Sequence, residues 1–178
     1  MILTGPEIRR AHATGDIAIE PFEPANVGPN SYDYHLGESL IRIQADAEGR
    51  LTSTSHDIPQ QGMLLEPGSL YLGATRERIG SKVYAITLLG RSSVGRLGIF
   101  LNVTADLGHV GSDSNWTLEL SVVQPVYVYA GMCIGQVAFW EVDGPRGFYD
   151  GRYKGDVRPE RSKDPALNGR AAVKEIYS

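Results

Sequence analysis

The run Trp116-Thr117-Leu118-Glu119-Leu120-Ser121-Val122-Val123 alternates apolar and polar side chains. A period of two fits a strand with one face in a core and one face out of it. Trp116, Leu118, Leu120 and Val122 fall on one face; Thr117, Glu119, Ser121 and Val123 fall on the other. Shorter runs of the same character recur along the chain, with Gly, Pro, Asn or Asp in most of the segments between them. They cover residues 17–20, 40–43, 70–75, 83–89, 98–105, 125–129 and 134–142. Many short strands with turn signals between them predict an all-β sandwich or barrel.

One segment departs from this pattern. Thr4-Gly5-Pro6-Glu7 reads as a helix start, with Thr4 as cap and Glu7 reaching back in a capping box. Pro6 is tolerated in a first turn, Ile8 and Ala11 would face inward, and Gly15 stops the helix. Residues 45–62 are polar and predict a hairpin excursion or exposed loop. From Gly144 the chain turns polar and carries Tyr149, Arg152, Tyr153, Lys154, Arg158, Arg161 and Lys163. The length of 178 residues favours one domain, 1–178, with 144–178 as a tail that could cover a ligand.

Composition removes several function classes. The net charge is −4, which argues against a protein that coats nucleic acid. The lone cysteine, Cys133, cannot close an internal disulfide, and the four histidines show no metal-ligand spacing. The ligand set of a zinc-dependent nucleobase deaminase is therefore missing, and no metal site is expected. No apolar run approaches the roughly 20 residues of a membrane span, and the N-terminus lacks signal-peptide character. A cytoplasmic protein without a membrane partner is the expectation.

The chemistry-bearing stretch is Gly90-Arg91-Ser92-Ser93-Val94-Gly95-Arg96-Leu97-Gly98, set between two apolar runs. Glycines let a backbone approach a ligand, and serine hydroxyls with guanidinium groups suit phosphate oxygens. The same composition also suits a plain surface turn. Glu119 is equally open. On a two-faced strand it is a solvated carboxylate, or, if its face lines a cavity, a general acid/base. Asp33, between two tyrosines, reads as a turn-capping aspartate.

Taken together these pieces resemble the dCTP deaminase family, within the dCTP deaminase/dUTPase superfamily. The resemblance rests on residues 90–98, on Val103-Thr104-Ala105, and on Trp116-Thr117-Leu118-Glu119-Leu120, with 23 residues from Arg96 to Glu119. Asn30 to Gly37, Tyr71 to Glu77, Gly131 to Gln136 and the tail pair Arg152-Tyr153 support it. It implies a distorted jelly-roll or β-barrel of the dUTPase type with a short N-terminal helix. A homotrimer with active sites between subunits would follow. So would metal-free hydrolytic deamination of dCTP to dUTP and ammonia, with Mg2+ accompanying the triphosphate and no zinc.

Carried over by position, Glu119 is the proton shuttle, with Arg96 and Ser92 beside the chemistry. Arg91, Ser92, Ser93 and Arg96 form the nucleotide-binding loop. Backbone groups at Ala105, Thr117 and Leu118 read the base. Tyr149, Arg152, Tyr153 and Asp156 belong to the tail that covers the nucleotide.

The sequence departs from the family pattern in three places, one of them a shortened segment from Tyr149 to Arg152. His109 stands where an aspartate contacts the sugar, and Asp156 stands where a glutamine is expected. A carboxylate near a triphosphate repels it. Three alternatives follow: a deaminase of another cytosine nucleotide, a dUTP pyrophosphatase, or a nucleotide-binding regulator without turnover. For a pyrophosphatase, Asp33 and Asp106 are the loop carboxylates available.

Overall fold

Helix α1 (Gly5–Ala13) follows Thr4 and ends at Thr14, and Gly15 takes a φ of 78° that a side chain would resist. The capping box does not form. Thr4 occupies the N-cap without a side-chain bond, and Glu7 turns instead to Arg10 at 2.7 Å. Ile8 and Ala11 are fully buried, as their spacing predicts. This fold comes from a computed structural model, which describes residues 1–102 and 104–163.

Twelve strands follow among the described residues. They are β1 (Ile17–Glu20), β2 (Tyr32–His35), β3 (Ser39–Ala45), β4 (Leu51–Asp57), β5 (Met63–Leu65), β6 (Leu70–Ser81), β7 (Ala85–Gly90), β8 (Ile99–Leu101), β9 (Leu107–Gly108), β10 (Asp113–Val122), β11 (Val126–Val128) and β12 (Cys133–Trp140). A single helical turn, α2 (Ser92–Gly95), joins β7 to β8.

The strands form three sheets. The largest runs β4-β3-β6-β10-β8, with β1 also paired to β6. A second runs β2-β12-β7-β9, and β11 pairs with β5. The all-β expectation holds, but the sheets remain open and no barrel closes.

One core joins the two larger sheets. Leu40, Tyr71, Ile79, Leu118 and Leu120 enter it from one, and Tyr32, Tyr34, Ile86, Val137 and Phe139 from the other. Leu118, Leu120 and Val122 are buried and Ser121 is exposed, so β10 shows the two faces that its alternation predicts. Trp116 is displaced by a register shift between Asn115 and Thr117, and its indole N–H donates to the Ile79 carbonyl at 2.9 Å.

Three boundaries move. The polar stretch after residue 45 contains β4, paired with β3 from Ser39↔Asp57 to Ala45↔Leu51, so it is a true hairpin. β6 runs on to Ser81 because Glu77 is not a strand end. Its carboxylate is fully buried and accepts the His35 backbone N–H at 2.8 Å and an Arg76 N–H at 2.9 Å. The strand expected over 98–105 stops at Leu101, where Asn102 turns with a φ of 44°. Val103 of that run and residues 164–178 of the expected tail lie outside the described residues.

Candidate active site

The serine-arginine loop is less open than its glycines suggest. Arg91 ends the extended backbone of β7, and its carbonyl accepts the N–H groups of Val94 and Gly95 at 3.0 and 2.9 Å. Val94 is buried and pins this turn to the core. Ser92, Ser93 and Arg96 are left exposed on its outer side. Gly98 then takes a φ of 79° and its carbonyl accepts the Val123 N–H at 3.0 Å, which starts the β8–β10 ladder.

Arg91 does not point away with the serines. One Nη donates to the Cys133 sulfur at 2.7 Å and lies 3.3 Å from Asp33. Burial pushes the Cys133 thiol above its ordinary range, against the pull of the Arg91 hydrogen bond, so the sulfur accepts as a neutral thiol. Asp33, which reads from sequence as a turn cap, sits in β2 as a partner of Arg91. Arg91 thereby ties the loop to β2 and β12.

Glu119 lies in β10, opposite Leu72 of β6. On its other side β8 pairs through Leu120↔Leu101, and Asn102 takes the next position. The Asn102 backbone N–H donates to the Glu119 carbonyl at 3.0 Å, and the Glu119 N–H donates to Asn102 Oδ1 at 2.8 Å. The Glu119 side chain is half-buried, and no described residue binds its carboxylate.

Beyond Asn102 the first strand leaves, and the outer edge of β10 is free to meet other groups. Alternate residues turn their backbone polar groups to one edge, so Thr117 shares this edge with Glu119 and Asn115. Leu118 turns its backbone toward β6 and its side chain into the core. Ala105 is exposed, next to Asp106, whose carbonyl accepts the Leu88 N–H at 3.0 Å.

The tail occupies the vacated edge. The Asn115 N–H donates to the Asp156 carbonyl at 2.8 Å, and the Glu160 N–H donates to Thr117 Oγ1 at 3.1 Å. Farther back, the Tyr149 N–H donates to the Val110 carbonyl at 2.8 Å, and the Tyr149 ring stacks on His109 with centroids 5.8 Å apart.

Asp156, the residue expected to repel phosphate, is neutralised by Lys163 at 2.6 Å. Lys163 also donates to the Arg152 carbonyl at 3.3 Å and covers the Tyr153 ring at 5.4 Å. The hydrogen bond to Asp156 raises the Lys163 ammonium above its usual range.

The structure brings Glu119 and Thr117 onto one strand, and His109 and Tyr149 into one stack. It sets Arg96 and Glu119 apart. Arg96 precedes the Gly98–Val123 end of β8, and Glu119 lies at the Asn102 end, about 13 Å of strand away at ~3.3 Å per residue. Two surface clefts, of about 410 and 560 Å³, open on the described chain, and neither is lined by Glu119, Ser92 or Arg96. Among the described residues no three His, Cys, Asp or Glu side chains gather as a metal site.

A family model described as dCTP deaminase-like matches residues 2–142. The chain belongs to the dCTP deaminase-like family. It is 42% identical over 147 residues to a dCTP deaminase of Rhodopirellula baltica, covering 81% of this chain and 74% of that protein. It is 41% identical over 158 residues to a dUMP-forming dCTP deaminase of Clostridium botulinum, covering 86% and 91%. A dUMP-forming dCTP deaminase of Cytophaga hutchinsonii is 40% identical over 170 residues, covering 94% and 96%.

Among solved structures, the 2'-deoxycytidine 5'-triphosphate deaminase of Agrobacterium tumefaciens superposes with a TM-score of 0.63 at 24% identity. The match covers 78% of this chain and 47% of that one, and it shows the shared fold. No described helix is long and apolar enough to cross a membrane.

Sequence reasoning missed Asn102, the Arg91 partners and the Lys163 cover of Asp156. Asparagine straight after an apolar run was the available signal for the first, since it enters the left-handed region more readily than other side chains. The other two join residues far apart in the chain or rest on tail packing, and carry no local signal.

Proposed function

We propose that this chain is a hydrolytic deaminase of dCTP, with Glu119 as the proton shuttle. One observation carries the assignment. Glu119 holds a carboxylate with no described partner on a strand fixed at both flanks, in a family whose relatives are named for this reaction. Glu119 accepts a proton from water as its oxygen bonds to C4 of cytosine, and passes that proton to N3. The proton of the new hydroxyl then goes to the amino group, the C4–N bond breaks, and ammonia leaves as the uracil carbonyl forms. Ser92, Ser93 and Arg96 supply exposed donors for the nucleotide, and Thr117 offers its strand edge to the base. Mg2+ enters with the triphosphate.

The site is completed by neighbouring copies in a homotrimer on this reading. The separation of Arg96 from Glu119 within one chain supports it. So do the large apolar residues left exposed around the loop: Leu89, Leu97, Phe100, Leu107 and Val123. Mass measurement in solution checks the assembly, and a monomer active at high dilution refutes shared sites.

The end product divides two readings. Deamination alone yields dUTP. The relatives from Clostridium botulinum and Cytophaga hutchinsonii are named dUMP-forming, which favours a second step that releases pyrophosphate. The carboxylates available to that step are Asp33 and Asp106, and Asp33 is already paired with Arg91 at 3.3 Å. The deciding experiment incubates the protein with dCTP, dUTP, dCMP and CTP plus magnesium, and follows ammonia and pyrophosphate separately. Ammonia and dUTP from dCTP support deamination alone, and ammonia with matching pyrophosphate supports the dUMP-forming reading. Ammonia only from another cytosine nucleotide changes the substrate, and no product from any nucleotide refutes turnover.

A further inference from the structure

Asn102 is the one non-glycine residue among those described whose φ is positive, at 44°. It is also buried, at 7% exposure, which is unusual for an amide side chain. Its place in the register explains both. Leu120 pairs with Leu101, so continuing the ladder sets Asn102 opposite Glu119. In an extended strand the two residues would exchange N–H and C=O groups. One half of that exchange survives, from the Asn102 N–H to the Glu119 carbonyl at 3.0 Å. The other half is replaced: the Glu119 N–H meets Asn102 Oδ1, at 2.8 Å, in place of the Asn102 backbone carbonyl.

The replacement solves a geometric conflict. The chain must leave the sheet after Leu101 if the outer edge of β10 is to be open beside Glu119. A strand that simply ended there would leave the part-buried Glu119 N–H without its ladder partner, which destabilises that stretch of β10. The backbone on which the carboxylate turns would also lose one of its two lateral supports. An amide side chain folded back from a left-handed residue imitates the missing peptide. The strand departs, the edge opens, and Glu119 stays held on both sides.

We infer that Asn102 is a positioning residue for Glu119, its side-chain amide standing in for a strand so that the carboxylate is held rigidly at an opened sheet edge. The inference rests on Glu119 being the proton shuttle. Asn102 touches no reacting atom and acts on turnover through the Glu119 backbone. A displacement of the order of 1 Å at such a group can cost about a hundredfold in rate.

Two variants and one measurement on the unaltered protein test this. Asn102→Gly accepts the positive φ but lacks the acceptor, so it removes the clamp without adding strain. Its kcat on dCTP should fall tenfold or more while KM stays within threefold. Asn102→Asp keeps an oxygen at the same reach and tolerates the same backbone, so it should return kcat to within threefold of the unaltered protein. In the unaltered protein the Glu119 amide should exchange with solvent as slowly as those of Leu118 and Leu120.

An Asn102→Gly kcat within threefold of normal, an Asn102→Asp variant as slow as Asn102→Gly, or a fast-exchanging Glu119 amide overturns the inference. The amide measurement stands even where a variant fails to fold. Glu119→Gln in the same assay separates the two ideas. Full activity there removes the shuttle itself, whereas an inactive Glu119→Gln beside a normal Asn102→Gly removes only the role of Asn102.

Discussion

The Arg91 guanidinium lies 3.3 Å from the Asp33 carboxylate, reaching past β12 from the end of β7 to the middle of β2. This contact fixes where the serine loop begins. Both side chains are partly exposed, at 37% and 27%, so the ion pair itself is screened. Asp33→Ala should therefore cost little stability, with a coupling to Arg91→Ala of about 0.5–1 kcal/mol in a double-mutant cycle. Its larger effect should be on nucleotide KM, raised severalfold as the loop loses its anchor. Unchanged KM in Asp33→Ala would mean that Cys133 and α2 hold the loop without it.

Glu119→Gln keeps the shape of the side chain and removes its capacity to accept a proton. Turnover on dCTP should drop by about 10²–10⁴, with nucleotide affinity nearly unchanged because the fold and the Asn102 clamp remain. Steady-state kinetics beside a direct binding titration reads both quantities. Near-normal kcat would sink the proton-shuttle mechanism, and lost binding with normal kcat would assign Glu119 to substrate affinity instead.

The sequence disclosed elements wherever burial imposed a period. β10 is legible because Leu118, Leu120 and Val122 must face the core while Ser121 does not. β4 carries no such mark, since nearly all its side chains are exposed and only its pairing with β3 makes it a strand. The apolar run that marks β6 breaks at Arg76, Glu77 and Arg78, three charged residues in succession. Glu77 is instead fully buried, and its partner His35 lies 42 residues away. For the candidate site, the motifs that carry the family resemblance pointed to Glu119 and the serine loop. They did not show that Arg91 would engage Asp33 and Cys133, because that depends on β12 lying between β2 and β7. Nor did they show the end of β8 at Asn102, since Ile99 to Val103 reads as continuous strand.

Tyr34 sets an alkaline limit on stability. Its phenol is buried and donates to the Leu89 carbonyl at 3.1 Å, just before the loop. Burial is the main cause that pushes its pKa above the ordinary phenol range, and Cys133, once ionised at alkaline pH, and Glu77 add to it. In the unfolded chain the phenol ionises near pH 10. Below that pH both states are neutral and the contribution is fully present. Above it the unfolded state loses its proton first, so stability falls as pH rises toward the folded value. Tyr34→Phe should lower stability by about 1 kcal/mol at neutral pH and flatten the decline above pH 10. Denaturant titrations from pH 7 to 11 test this, and equal slopes in both proteins refute it. Gly135→Ala is a harsher probe of the same contact, because its Cβ would overlap the Tyr34 ring.

On the proposed reading, Lys163 would make the unexpected Asp156 tolerable near a triphosphate. Its ammonium lies 2.6 Å from the Asp156 carboxylate and bridges to the Arg152 carbonyl, so the tail closes on itself with the charge cancelled. Lys163→Ala would uncover a carboxylate on a segment already hydrogen-bonded to Asn115 and Thr117 at the edge beside Glu119. The expected result is a several-fold rise in KM for dCTP at low ionic strength, shrinking as added salt screens the repulsion. A double variant, Lys163→Ala with Asp156→Asn, should restore KM by removing the charge that Lys163 no longer covers. If the single variant leaves KM unchanged, Asp156 stays clear of the phosphates. If the double variant fails to restore it, Lys163 binds the nucleotide itself. Initial rates at two salt concentrations separate these outcomes.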